Sequence, residues 1–173
     1  RVLVNQGGST NVTVCDPGSS GAIDLFSWHH FALTWDGTTY RAFLDGALEG
    51  SATGNAAPAG NEKVVRIGYN TNNHHFSGYI SNVRIVVDGG AIYTSAFTPP
   101  TAPTTAISGT QLLVNGTNGS IFDSSSKFSE HLIGNTSLST SVKKFGTASA
   151  NFDEVGDYIK LNYYDFVVFG QGD

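Results

Sequence analysis

Hydrophobic and polar positions alternate in three consecutive runs within the first third of the chain. Residues 28–35, 38–44 and 47–52 carry this alternation, and Asp36-Gly37 and Asp45-Gly46 separate the runs. An Asp-Gly pair suits both central positions of a type I′ turn, whose twist matches that of the flanking strands. The pattern therefore predicts a three-stranded antiparallel meander.

The register of this meander decides which side chains face the core. A two-residue first turn pairs Leu33 with Tyr40. Phe43 falls on the opposite face and meets Leu48 across the second turn, so we expect either a cover over that face or a bulge that shifts the register. Alternation over residues 76–87 adds two core positions, Val83 and Ile85. The residues expected to share one buried layer are Phe31, Leu33, Trp35, Tyr40, Leu44, Val83 and Ile85.

Short apolar runs rich in β-branched and aromatic residues recur along the rest of the chain, separated by Gly, Asn, Pro and Ser clusters. No segment of ten or more residues keeps a helical period, so the pattern predicts an all-β fold, an antiparallel β-sandwich. The further predicted strands are Val2–Asn5, Val12–Cys15, Lys63–Gly68, Phe76–Val87, Gln111–Val114, Ser149–Asp153 and Asp157–Leu161.

A proline-rich stretch, Phe-Thr-Pro-Pro-Thr-Ala-Pro-Thr-Thr at residues 97–105, divides the chain. Because proline cannot donate to a strand ladder, the stretch predicts an extended linker. The stretch separates residues 1–103 from residues 108–173, with the end of the linker at 104–107.

Composition narrows the classes of partner. The chain has 173 residues, of which 13% are charged, with a formal net charge of -5 and nine scattered Lys and Arg residues. It therefore lacks the basic footprint of a nucleic-acid-binding protein. It also lacks an apolar run near the roughly 18 residues that a membrane helix needs, so we expect no membrane insertion. Because the sequence contains no Met, we expect a processed or excised piece of a longer protein.

The single cysteine and the Asn-x-Ser/Thr triplets are candidate sites of covalent modification. Cys15 excludes an internal disulfide and is expected to be a small buried hydrophobe, with an intermolecular bridge as the alternative. The triplets are glycosylation hypotheses that depend on eukaryote-like secretion. They begin at Asn11, Asn115, Asn118 and Asn135.

Four motifs of the first hundred residues carry a family resemblance. They are Trp28-His-His-Phe-Ala-Leu-Thr-Trp-Asp-Gly, Tyr40-Arg-Ala-Phe-Leu-Asp-Gly, Arg66-Ile-Gly and Phe76-Ser-Gly-Tyr-Ile-Ser-Asn-Val-Arg-Ile. In order and spacing they resemble laminin G-like domains of the concanavalin A-like lectin/glucanase superfamily. The resemblance implies a concanavalin A-like jelly roll.

Beyond the linker, four motifs resemble the opening half of the same domain: Leu112-Leu-Val, Phe122-Asp-Ser-Ser, the run from Ser139 to Asp153, and Gly156-Asp-Tyr-Ile. The resemblance therefore implies a closing half over residues 1–103 and an opening half over residues 108–173, in reversed order. The chain is then a circularly permuted domain, a window from a tandem array, or a subunit completed by strands of a neighbouring copy. Two of these interpretations require a partner, because half a sandwich exposes strand edges and an apolar face. We expect residues 108–114 or 157–169 to pair head-to-tail with another copy or an adjacent domain.

Catalysis is not expected. Glucanases of the superfamily place carboxylates on one strand as Glu-x-Asp-x-Glu, whereas the glutamates of this chain stand apart. The doublets His29-His30 and His74-His75 diverge on a strand and are poor metal pairs. The glutamates in question are Glu49, Glu62, Glu130 and Glu154.

A structural calcium ion is a further expectation. Family members often carry an acidic residue where this chain has Ser81, which puts the usual ion in doubt. Asp153 and Asp157 could supply oxygen ligands for Ca²⁺, and the alternative is that both aspartates form turns.

The best candidate for glycan binding is the loop after Tyr69, where an aromatic face and several amides could stack on and hydrogen-bond to a sugar. The same composition describes an ordinary hairpin loop. The candidate residues are Tyr69, Asn70, Asn72, Asn73, His74 and His75.

The sequence therefore predicts a non-catalytic module of the extracellular space, the cell surface or the virion surface. Its main expected role is structural: it assembles into a tandem array or a fibre. The alternative is a carbohydrate-binding, lectin-like adhesion module.

Overall fold

The computed structural model describes residues 2–5, 11–15, 23–54, 64–69, 74–87, 90–116, 121–123, 125 and 129–162. These residues form fourteen strands and no helix, and every strand pairing among them is antiparallel, so the predicted all-β fold is confirmed. The strands are β1 Val2–Asn5, β2 Asn11–Cys15, β3 Phe31–Trp35, β4 Thr39–Leu44, β5 Ala47–Thr53, β6 Val64–Ile67, β7 Ser77–Ile80, β8 Val83–Val86, β9 Thr110–Gly116, β10 Ile121–Asp123, β11 Ser129–Ile133, β12 Ser137–Ser139, β13 Ser149–Asp153 and β14 Tyr158–Asn162.

The described residues divide into two compact units. The first contains those between positions 2 and 54 and between 90 and 100, and the second contains those between 64 and 87 and between 101 and 162. The predicted division of the chain at 103 and 108 concerns two halves of a domain and stays a prediction.

The first unit contains the predicted meander, with strand order β3-β4-β5. Trp35 pairs with Tyr40, so the predicted register across the first turn was wrong by two residues. The reason is Asp36, whose Oδ1 accepts the backbone N–H groups of Thr38 and Thr39 and holds a four-residue loop. Arg41 donates to the other carboxylate oxygen, and this bond, with the backbone bonds, holds the pKa of Asp36 well below its usual range.

Both faces of the meander are covered near Phe43. On one face Tyr40 and Ala42 pack against Val4 and Val14 of the β1-β2 hairpin. On the other face Phe43 is fully buried against two rings of the segment that follows residue 90, Tyr93 and Phe97. The predicted Phe43 to Leu48 pair is present and a bulge follows it, so the cover and the bulge both occur.

The expectation of one buried layer was wrong for four of its seven residues. Phe31 is 56% exposed and Leu33 is 41% exposed, because β3 is an edge strand and the β1-β2 hairpin packs over β4 and β5. Val83 and Ile85 pack in the core of the second unit. Trp35 is half-buried, stacks on the ring of Tyr40 and donates from Nε1 to the carbonyl of Gly54.

The second meander turn is tied to the loop before β3 by a histidine. His29 Nδ1 lies 2.6 Å from Asp45 Oδ2, and His29 Nε2 lies 3.0 Å from the carbonyl oxygen of Asp24. Asp45 also accepts the backbone N–H of His30. Since both ring nitrogens face acceptors, the charged imidazolium is favoured, and the bond to Asp45, followed by that to Asp24, raises the pKa of His29. The same bond lowers the pKa of Asp45.

These shifts predict a pH-dependent stability of the first unit. A raised pKa in the folded state stabilises below the unfolded value of about 6.5, and that contribution is lost as pH rises through the folded value. We expect the wild-type urea midpoint, followed by tryptophan fluorescence, to fall between pH 6 and pH 9 more than that of His29→Gln. Both tryptophans, Trp28 and Trp35, lie in this unit. His131→Gln, in the second unit, is the control, and an equal fall in His29→Gln and wild type would contradict the prediction.

The second unit contains three three-stranded sheets, β10-β9-β8, β11-β14-β6 and β12-β13-β7. The predicted strand over Phe76–Val87 is two strands, β7 and β8, because Asn82 adopts a positive φ of 58° and breaks the ladder. Strand β9 pairs with β8, and β14 pairs with β6 and β11, so residues 110–114 and 158–162 pair within their own chain. The buried core is Leu112, Val114, Ile121, Ala150, Phe152, Ile159 and Leu161.

Candidate functional site

The loop predicted to bind a glycan begins directly after β6. Tyr69 and His75 form an isolated antiparallel bridge, and Phe76 donates its backbone N–H to the carbonyl of Gly68 at 2.8 Å. The two ends of the loop are therefore held together at the edge of the second unit's sheets. Asn70, Asn72 and Asn73 lie outside the described residues, and His74 is exposed.

Three aromatic side chains, Tyr69, His75 and Tyr158, form what we call the aromatic cluster. The Tyr69 ring stacks on Tyr158 with centroids 5.3 Å apart. It also contacts the His75 imidazole, with centroids 4.8 Å apart and the ring planes tilted by 37°. Arg66 adds a cation 5.9 Å from the centroid of the Tyr69 ring. All of these side chains are half-buried, so Tyr69 is the central ring of a packed group.

Next to the aromatic cluster lies a row of nitrogen-bearing side chains across three strands. Lys160 of β14 pairs directly with His131 of β11 on one side and with Arg66 of β6 on the other. We call Arg66, Lys160 and His131 the basic row. Their neighbours Ile159 and Leu161 are buried in the core, so the row and Tyr158 occupy the opposite, outward face of the sheet.

Sequence reasoning missed the basic row and Tyr158. The alternation Tyr158-Ile159-Lys160-Leu161 was sufficient to place Tyr158 and Lys160 on one face of a strand. Which strands flank β14 depends on pairings with residues about 30 and 90 positions away, and no local pattern specifies them.

His75 carries an unsatisfied group at this site. Its Nδ1 is enclosed and has no hydrogen-bond partner in the part of the chain that the structure describes. An enclosed polar atom of this kind is costly and usually meets water or a ligand.

Of the two candidate calcium ligands, Asp157 is buried and Asp153 is exposed. Asp157 accepts the backbone N–H of Asn135 at Oδ1 (2.7 Å) and that of Asp153 at Oδ2 (2.9 Å). Asp153 accepts from the Asn135 amide and from the backbone N–H of Val155, and these bonds, in that order, lower the pKa of Asp153. Both aspartates therefore hold turns.

Among the described residues, no group of three or more His, Cys, Asp or Glu side chains is placed to hold a metal ion. The oxygens of Asp157 already accept main-chain donors, so a cation there would compete with the hydrogen bonds that hold the turns. The calcium expectation stays a prediction.

The four glycosylation hypotheses differ in where their asparagines lie. Asn135 is exposed, but its amide donates to Asp153 Oδ2 at 2.6 Å, and the hydroxyl of Thr136 donates to the carbonyl of Ile133. A glycan at this position would have to displace the Asp153 bond. Asn115 lies half-buried in β9, Asn11 begins β2, and Asn118 lies outside the described residues.

Two further carboxylates serve the fold. Asp123 is buried and accepts the backbone N–H groups of Leu113 and Ser125, each at 2.9 Å. Glu130 accepts the backbone N–H of Asp123. These contacts join β9, β10 and β11. They occupy a carboxylate oxygen of Glu130, which a catalytic glutamate would need for its substrate.

Comparison with known families decides the identity of the fold. A laminin G family model, described as the concanavalin A-like lectin/glucanases superfamily, matches residues 1–100. The chain belongs to this laminin G family. No curated protein and no solved structure matches the chain.

Membership in the laminin G family confirms the resemblance carried by the motifs of the first hundred residues. The antiparallel sheets agree with the β-sandwich of the concanavalin A-like superfamily. Laminin G-like domains are generally non-catalytic, commonly extracellular, and in general lectin-like or adhesion modules. The reversed order of the two halves stays a prediction.

The described part of this laminin G chain has no helix long and apolar enough to cross a membrane.

A core cavity lined by Ile80, Val83, Val114 and Ile159 has about 10 Å³ of free volume, which is room for one water molecule and not for a sugar.

Proposed function

We propose that this chain is a non-catalytic, extracellular adhesion module that binds carbohydrate at the aromatic cluster. The observation that carries the proposal is the aromatic cluster, in which Tyr69 stacks on Tyr158 and contacts the tilted ring of His75, on the outward side of the β11-β14-β6 sheet. Membership in a lectin-containing superfamily supports the same class of function.

The chemistry of the aromatic cluster suits a sugar. Aromatic rings present apolar faces to the C–H groups of a pyranose, and tyrosine hydroxyls and imidazole nitrogens exchange hydrogen bonds with sugar hydroxyls. Because the three rings already pack on one another, little side-chain entropy is lost when a ligand binds. The cluster is pre-organised for a shallow surface contact.

Assembly into a tandem array or fibre through strand complementation remains a second prediction. Within the segments expected to pair with another copy, residues 108–114 and 157–169, strands β9 and β14 find partners in β8 and β6 of their own chain. Since those pairings leave the described parts of both segments without an open ladder on that side, we favour the carbohydrate-binding proposal.

A glycan array with single variants tests the proposal. We expect Tyr69→Ala to abolish binding, because the variant removes the central ring on which Tyr158 and His75 pack. Tyr69→Phe keeps the stack and should retain most of the binding. Tyr79→Ala, which removes an exposed tyrosine from β7, is the matched control and should bind as wild type does.

Folding of each variant is checked by circular dichroism before the array, so that a loss of binding is attributed to the ring. Wild-type protein that binds nothing on a broad array, or Tyr69→Ala that binds as wild type does, would overturn the proposal.

A further inference from the structure

We infer that the open edge of β3 binds the same edge of a second copy of this chain, which makes a two-fold dimer through one continuous sheet. In the strand order β3-β4-β5, β3 lies at the end of the sheet, and none of the other described strands pairs with its outer edge. The inference is independent of the proposed function, because it concerns the first unit and the aromatic cluster lies in the second.

The β3 edge lacks the features that keep sheet edges apart. Natural proteins protect such edges with charged residues, prolines or bulges. The five residues of β3, Phe-Ala-Leu-Thr-Trp, include no charged residue and no proline, and their pairing with β4 is regular. At the other edge of the same sheet, the acidic Glu49 of β5 is the extra residue of a bulge in the pairing with β4. Pairing with another chain is therefore opposed at β5 and not at β3.

The main-chain groups of β3 alternate between its two edges. Asp45 donates its backbone N–H to the carbonyl of His30 at 2.8 Å, and Asp36 donates its backbone N–H to the carbonyl of Thr39 at 3.3 Å. These bonds place the even-numbered residues from 30 to 36 in the hydrogen-bonded pairs with β4. In an antiparallel ladder the intervening residues direct their N–H and C=O groups to the other edge. The residues that present these groups at the open edge are Phe31, Leu33 and Trp35.

The same residues carry the exposed apolar surface of the strand. Their side chains share the face of the sheet on which the β1-β2 hairpin packs, but the hairpin lies over β4 and β5. Phe31 is 56% exposed and Leu33 is 41% exposed. A strand added at the open edge places its own side chains beside them and removes apolar surface from water, which favours association.

The β3 edge is complementary to itself when two copies run antiparallel about a two-fold axis at Leu33. Leu33 then lies opposite Leu33 of the second copy, and Phe31 lies opposite Trp35. All three pairs are of the hydrogen-bonded kind, so three pairs of two bonds each join the chains. Apolar pairs of this type stabilise a sheet, and no like charges meet. A register shifted by two residues would keep only two of the pairs.

The size of the contact predicts a weak dimer. One five-residue strand edge buries less than the roughly 800 Å² per partner of a standard stable interface, and small interfaces belong to transient complexes. We therefore expect a Kd of about 10–100 μM. Because the contact is isologous, it is complete with two copies, and this distinguishes it from head-to-tail assembly into a fibre.

Sedimentation equilibrium of the intact chain, over concentrations of about 1–300 μM that bracket the expected Kd, tests the inference. We expect a reversible equilibrium of monomer and dimer. Leu33→Lys should weaken the dimer about tenfold or more, because two ammonium groups would meet at the two-fold axis. Leu132→Lys is the matched control and should dimerise as wild type does, since Leu132 is 44% exposed on β11, an edge strand of the second unit.

Disulfide cross-linking under mild oxidation is a second measurement. Residues opposite each other in a hydrogen-bonded pair have Cα atoms about 5.5 Å apart, within the range of a disulfide. Leu33→Cys should therefore form a covalent dimer. Ala32→Cys should not, because the register offsets its two thiols by two residues, about 7 Å along the strand. Wild type, which has the free thiol of Cys15, is the control for cross-linking through the native cysteine.

Three results would overturn the inference. They are a monomer at every concentration, equal dimerisation of Leu33→Lys and wild type, and growth into particles larger than a dimer. If circular dichroism shows that Leu33→Lys does not fold, the cross-linking decides. Covalent dimers of Leu33→Cys in excess of those of Ala32→Cys and wild type support the β3 contact, and equal yields from the three proteins contradict it.

Discussion

Asp157→Ala is expected to destabilise the second unit by roughly 3–5 kcal/mol. Asp157 is 1% exposed, and its carboxylate accepts two backbone N–H groups, those of Asn135 and Asp153. A hydrogen bond to a charged acceptor contributes roughly 1.5–3 kcal/mol, and both bonds are lost together. Gly134 also packs so closely on Asp157 Oδ1 that a Cβ at that position would lie 2.3 Å from it, so the two turns share one carboxylate.

The measurement is urea denaturation followed by far-ultraviolet circular dichroism, with tryptophan fluorescence reporting the first unit separately. Asp153→Ala is the matched control, because it removes a neighbouring carboxylate that is exposed, and it should cost clearly less. Equal losses in the two variants would contradict the role assigned to Asp157. Repeating the wild-type transition in calcium chloride and in EDTA tests the calcium prediction, which a calcium-dependent midpoint would support.

Phe43→Ala should destabilise the first unit by about 3–5 kcal/mol, the usual cost of deleting a fully buried phenylalanine. The ring packs edge-on against Phe97, with centroids 5.4 Å apart, and against Tyr93 at 6.3 Å. Its loss leaves a cavity under a segment held to the meander by two further bonds, from Phe97 N to the Gly46 carbonyl and from the Thr34 hydroxyl to the Tyr93 carbonyl.

Phe31→Ala is the matched control, with the same change of side chain in the same sheet. Since Phe31 is mostly exposed, its loss should be about 1 kcal/mol or less when unfolding is followed by tryptophan fluorescence. A larger loss for Phe31→Ala than for Phe43→Ala would restore the arrangement expected from the sequence pattern and would contradict the structure.

The sequence predicts the strands with strong β composition and misses the short polar ones. Ser149–Asp153 occurs as predicted, and the Lys63–Gly68 prediction contains β6. Strands β10 to β12 have three to five residues and polar positions, so their stability comes from pairing with β9, β14 and β13 and not from local propensity.

The errors in register and in strand length have a common physical cause. In each case the side chain or the backbone conformation of one residue changes the geometry of the two or three residues around it. Asp36 widens the first meander turn through bonds to Thr38 and Thr39, although Asp-Gly alone favours a two-residue turn. Asn82 interrupts the predicted long strand with a left-handed backbone conformation. Such effects depend on local geometry that alternation does not encode.

The candidate site was predicted only in part, because some of its residues are close in the sequence and others are brought together by strand pairing. Tyr69 and His75 lie close in sequence, so composition alone indicated their loop. Tyr158 and Lys160 reach the same place only because β14 pairs with β6, about 90 residues earlier in the chain. Non-local pairing of this kind is set by the packing of the whole unit, which no window of the sequence contains.

Strands β6, β7 and β8 all pair with strands that lie later in the chain, and this order affects folding during synthesis on the ribosome. At about 5–20 residues per second, the roughly 90 residues between β6 and β14 take about 5–20 s to emerge. During that interval Val65 and Ile67 of β6 have no partner strand, and Ile80 of β7 has none until β13 emerges. The first unit's meander, whose strands follow one another directly, can fold meanwhile. Nascent chains are therefore most vulnerable to aggregation and proteolysis while β6 to β8 are outside the ribosome and β14 is not.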